Sequence, residues 1–188
     1  EYTDSTLDGG PNRNSDGYEL VAGAAFDITG TSKGEFFGGY IKQEYDSNSL
    51  TNISDFTYGA SLLWNPTGLT SVRGTINRTV VETVAADLNA VTGNLDQASG
   101  ILGTSFDLQL EHELQRNVLL KATATYIKQD FQNTLRDDDL FNASLAASYL
   151  INRNLSFDAS YKFNYRDTTA QGQDFKRHIF MVGIKAQW

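Results

Sequence analysis

The chain has 188 residues, no cysteine, and 23 acidic against 15 basic side chains, for a formal charge of −8. That balance excludes a basic face for nucleic acid, and the lack of thiols excludes a disulfide scaffold or a thiolate metal site. No apolar run reaches the ~18 residues of a membrane helix, but the mean hydropathy of −0.37 is blind to strands that alternate apolar and polar residues.

The opening stretch, "EYTDSTLDGGPNRNSDG", is polar and irregular and predicts a loop over 1–16. Period-two alternation then recurs almost to the end. It predicts nine strands, near 17–29, 35–46, 53–65, 69–82, 98–114, 118–131, 139–151, 155–166 and 175–188. Nine Tyr and eleven Phe against two Pro fit an all-β chain. The seventh strand sets Phe141, Ala143, Leu145, Ala147 and Tyr149 against Asn142, Ser144, Ala146 and Ser148. In the eighth, Leu155, Phe157, Ala159, Tyr161, Phe163 and Tyr165 alternate with Ser156, Asp158, Ser160, Lys162, Asn164 and Arg166. Between them, Asn152, Arg153 and Asn154 are residues that tolerate turn geometry. The last strand carries Phe180, Val182, Ile184, Ala186 and Trp188 on one register.

The connections are of two alternating kinds. "GTSKG", "NPTG", "QRN" and "NRN" are short, whereas "DSNSLTN", "TVAADLNAVTGNLDQ", "QNTLRDDD" and "DTTAQGQ" are long and polar. Each strand pair is thus a hairpin joined to the next by a longer loop. A propeller would need four short strands per repeat and blade signatures that this chain lacks.

A soluble ligand-binding barrel and a membrane barrel both alternate. The expected strand length exceeds the roughly 9–11 residues of a tilted membrane strand, and short turns opposite long loops suit an outer-membrane barrel. Aromatics stand toward strand ends on the apolar register (Tyr18, Trp64, Tyr126, Phe163, Tyr165 and Trp188), as in interfacial girdles. The other register mixes Ser, Thr, Gly and Asn with isolated charges. The expected fold is therefore an all-β, antiparallel up-and-down transmembrane β-barrel.

Placed in a membrane, the short turns face the periplasm. A single-chain bacterial barrel normally has an even number of strands, and nine beginning with a descending one break that rule. Residues 1–188 are accordingly expected to be the C-terminal portion of one larger β-barrel domain, with 1–16 an extracellular loop. Arg73, Asp107, Glu111, Lys121, Asp158, Lys162, Arg166, Arg177 and Lys185 share the polar register with Glu19 and Asp27. In a wide barrel they line a wet lumen. In a narrow one they pair and fill it, and structural ion pairing between strands is the plainer alternative.

Enzymatic chemistry has little to work with. A barrel hydrolase needs a nucleophile and a positioned base, and only His112 and His178 are available. Parity sets both on the apolar face near opposite strand ends, which reads as interfacial histidines; no catalytic residue, metal or cofactor is expected. The run Asp137, Asp138, Asp139 reads as a solvated loop, with a divalent cation bridging lipopolysaccharide as its alternative.

The closing segment, "YLINRNLSFDASYKFNYRDTTAQGQDFKRHIFMVGIKAQW", resembles the end of β-barrel porins of the type-2 family from Gram-negative outer membranes. The resemblance implies a barrel of the bacterial outer membrane that passes a hydrophilic solute or polymer, exopolysaccharide included. Its partners would be outer-membrane lipid, lipopolysaccharide and envelope secretion proteins. A structural or partner-docking barrel with a filled lumen is the alternative. Gly183, Ala186 and Trp188 resemble the assembly signal read by the barrel-insertion machinery, although Met181 stands where that signal has a polar residue.

Overall fold

The structure, a computed structural model, describes residues 2–3, 14–48, 50–83, 86–88 and 95–186. Nine long strands follow one another: β1 (Ser15–Thr29), β2 (Ser32–Tyr45), β3 (Ile53–Thr67), β4 (Thr70–Glu82), β5 (Gly100–Gln115), β6 (Val118–Phe131), β7 (Asp137–Leu150), β8 (Leu155–Thr168) and β9 (Phe175–Ala186). Each pairs antiparallel with its sequence neighbours, so spatial order equals chain order. Every strand predicted from alternation is present.

The turns are tighter than the sequence suggests. β1 and β2 are joined through Gly30 and Thr31 alone, where the Thr29 hydroxyl accepts from the Thr31 amide at 3.3 Å. β3 runs on through Pro66 to Thr67, and its register with β4 shifts between Trp64 and Thr67. A residue without an amide hydrogen is tolerated at such an irregularity. The long connection before β5 contains a small hairpin, Ala86–Leu88 against Leu95–Gln97, separate from the main sheet. Residues 4–13 of the expected opening loop lie outside the described residues. Tyr2–Thr3 pairs with Ser15 and Asp16, so β1 begins two residues before the expected strand.

The sheet is curled, and three contacts fix the direction. Tyr45 at the end of β2 donates its hydroxyl to the Ser99 carbonyl at 2.6 Å. The Thr51 amide donates to Ser99 Oγ at 2.7 Å, and the Thr51 hydroxyl donates to Asn133 Oδ1 at 2.8 Å. In a flat sheet, β2 and β5 would lie three spacings, or about 14 Å, apart. These contacts require the face bearing Tyr45 and Ile53 to be concave. At this loop end Leu50, Ile53, Ala98, Leu102 and Phe131 are buried together with Thr57 and Ser99. The sheet remains open among the described residues: only Tyr2–Thr3 pairs with the outer edge of β1, and β9 ends the order.

Candidate pore-lining face

Cross-strand registers settle which side chains share a face. Starting from Arg73, opposite neighbours run Gln109, Thr123, Ser144, Lys162. From Asp107 they run Thr125, Asn142, Asn164 and Arg177. Glu111 opposes Lys121, Asp158 opposes Ser148 and Gly183, and Lys185 opposes Ser156. Arg166 shares the face through Leu140. All nine charged residues singled out by alternation therefore lie on the concave side, together with Glu19 and Asp27.

The row through Asp107 extends further. In the other direction it continues to Thr75, Ser61 and Glu35. From β2 to β9 it crosses eight strands without an apolar side chain. Two links in it are hydrogen bonds, Ser61 to Glu35 at 3.0 Å and Thr125 to Asp107 at 2.7 Å.

Some of the charges on this face are engaged. Lys121 meets Glu111 at 2.5 Å, Lys33 meets Asp27 at 3.8 Å, and Asp158 accepts from Ser148 at 2.5 Å and Ser156 at 3.2 Å. At the loop end Asp55 pairs with Arg78 at 2.9 Å; Arg78 stands opposite Tyr58 and Thr104, on the other register from Arg73, and its guanidinium also donates to Thr104 at 3.0 Å. For Arg73, Lys162, Arg177 and Lys185, no carboxylate lies within ion-pair distance among the described residues.

The aspartate run departs from its expected role. It is not a solvated loop, because β7 already begins at Asp137. Asp138 points to the concave side and is 1 % exposed. Arg136 donates to it through Nε and Nη2, at 3.1 and 2.9 Å. Arg166 Nη2 donates at 2.5 Å, and the Thr168 hydroxyl also donates to it. Arg136 in turn lies over the Phe131 ring at 4.3 Å. A buried carboxylate persists only with such compensation, and the hub ties the β6–β7 loop to β8. Counting outward from the Ile151–Asn154 turn places Asp138 opposite Thr168, so the register carried this signal; the charge run concealed it.

The convex face is apolar and uncovered. Phe180, Val182 and Ile184 on β9 are 77, 72 and 72 % exposed, and Leu145 on β7 is 61 % exposed. One row reads Phe106, Tyr126, Phe141, Tyr165 across β5 to β8. Aromatic pairs eight residues apart recur on separate strands: Tyr18 and Phe26, Phe56 and Trp64, Phe141 and Tyr149, Tyr165 and Phe157. Eight steps of a strand span about 27 Å along its axis. At a tilt of ~40° this is about 21 Å of height, close to the ~25 Å apolar band of a membrane barrel. Trp188 lies outside the described residues, whereas Gly183 and Ala186 lie in β9.

Both histidines lie on this convex face. His112 Nδ1 is 2.9 Å from the Thr70 hydroxyl, and His178 Nδ1 is 2.8 Å from the Tyr161 hydroxyl. Tyr161, Phe163, His178 and Phe180 form one ring cluster.

The arrangement has consequences in a bilayer. Backbone groups bond between strands, and the face turned outward exposes hydrocarbon, which is the condition for a sheet to cross lipid. The polar groups meet on the inner side, where water can reach them. No curated protein matches the chain. The model of the family described as "Putative beta-barrel porin 2" matches residues 1–188. The curled nine-strand sheet, with its two chemically opposed faces, is the wall of a membrane β-barrel, and the chain belongs to this family of β-barrel porins.

Proposed function

We propose that the protein is a porin of the Gram-negative outer membrane that passes a hydrophilic solute or polymer, with exopolysaccharide as the candidate cargo. One observation carries the reading: the eight-strand polar row on the concave face, from Glu35 to Arg177. A polar lining of this extent solvates a cargo that lipid would exclude. The convex face would contact outer-membrane lipid and lipopolysaccharide. The closing strand would be presented to the barrel-insertion machinery, and envelope secretion proteins would act beside the pore. Both histidines stand on the lipid side, away from the polar row that would meet a solute.

A second reading, a filled barrel that docks partners, has one observation in its favour. Leu50, Ile53 and Phe131 are buried where the loops cross the concave face, which narrows that end. Single-channel recording in planar bilayers separates the two. The porin reading predicts stable conductance steps, and their complete absence from correctly folded protein would overturn it.

A further inference from the structure

The charges of the concave face are sorted by strand. Acids outnumber bases on β1 to β5, where Glu19, Glu35, Asp107 and Glu113 stand with Lys33 and Arg73, and bases outnumber acids on β8 and β9, where Lys162, Arg166, Arg177 and Lys185 stand with Asp158. Lys162 is the most informative, because both strands flanking β8 are described. β7 faces it with Ser144, flanked by Asn142 and Ala146, and β9 faces it with Ile179, flanked by Arg177 and Met181. Along β8 itself the next residues on this face are Ser160 and Asn164. The nearest carboxylate toward the loop end, Asp138, is already engaged by Arg136 and Arg166.

Ion pairing that served only the fold would set an acid opposite Lys162. Instead Lys162 and Arg177 are diagonal neighbours with no acid between them, an arrangement that is unfavourable in itself. Around them stand Asn142, Asn164, Ser144 and Ser160, whose amides and hydroxyls both donate and accept. Cations suit carboxylates, and such neutral groups suit a solute rich in hydroxyls. Barrel strands tilt from the axis, so a row perpendicular to them is a slanted stripe that climbs the wall. A chain-like solute could follow it with several units at once.

We infer that the Lys162–Arg177 side of the wall binds the carboxylates of an acidic, polyhydroxylated solute, while the acids of β1 to β5 keep it to that side. This deepens the pore reading above and rests on it.

Titration calorimetry on the detergent-solubilised full-length porin tests the inference, because it reads binding whether or not the protein conducts. The probes are an oligogalacturonate and a neutral maltooligosaccharide of equal length. The acidic oligomer should bind, more weakly as salt is raised, and the neutral one at least tenfold less tightly. The double variant Lys162→Gln/Arg177→Gln should weaken binding of the acidic oligomer about tenfold. The exchange Lys162→Arg/Arg177→Lys should hold within about threefold. Glu35→Gln, at the other end of the polar row, should tighten binding by up to about twofold and stays informative if the double variant does not fold. Equal binding of the two sugars, no binding of the acidic one, or a double variant equal to the parent overturns the inference. Binding without conductance would sink the pore reading alone, and conductance without binding would sink this inference alone.

Discussion

The two faces of β7 and β8 share one backbone and differ by a single step in the sequence. Outward stand Phe141, Leu145 and Tyr161; inward, and each one residue away, stand Asn142, Ser144 and Lys162. The hydrogen-bond ladder is the same for both, so the backbone is indifferent to which side meets lipid. What differs is the solvent each face can accept. A leucine side chain gains about 1.5–3 kcal/mol on leaving water, and the convex row offers that gain only to hydrocarbon. The concave row offers hydroxyls, amides and charges, which hydrocarbon cannot satisfy.

Substitutions on the two faces should therefore differ sharply. The largest effect is expected inside, at the Asp138 hub, which is buried from water. Asp138→Asn leaves the Arg136 and Arg166 guanidiniums without a counter-charge, and breaking such a buried group costs about 3 kcal/mol. Urea unfolding from phospholipid vesicles measures it, and adding Arg166→Met should recover part of the loss. Next comes Leu145→Arg on the convex face, expected to cost about 2–4 kcal/mol near the bilayer midplane. One residue away, Ser144→Arg loses the Thr123 hydroxyl and faces Lys162, and should still cost no more than about 1 kcal/mol; equal costs at 144 and 145 would break the comparison. Tyr161→Phe removes the hydroxyl from His178 and should cost about 0.6 kcal/mol, the typical value for a side-chain hydrogen bond in a membrane protein. The smallest effect belongs to Lys121→Gln. Both partners of the Lys121–Glu111 pair are about half exposed, so its loss should fall below about 1 kcal/mol.

Much of this was legible in the residues alone. Alternation is local, set by the pleat, and it located all nine strands and the common face of the nine charges. Turn residues placed the hairpins to within a few positions. Contacts that depend on curvature were not legible. Tyr45 reaches Ser99 and Thr51 reaches Asn133 only because the sheet bends, and no period in the sequence encodes that bend. Asp138 is an intermediate case. Its register with Thr168 follows from the Ile151–Asn154 turn, but its burial depends on two arginines closing over it, one from the preceding loop and one from β8. The unengaged state of Lys162 likewise needed the flanking strands in place before the lack of an acid could be seen.

The central claim is that successive residues of one strand meet different solvents. Because the chain has no cysteine, single cysteines can be introduced along β8 from Phe157 to Asn164 and the full-length porin folded into liposomes. Labelling with a membrane-impermeant thiol reagent should then alternate: positions 158, 160, 162 and 164 react, and 157, 159, 161 and 163 stay protected. Uniform labelling along the strand, or reaction at the odd positions instead, would contradict the account.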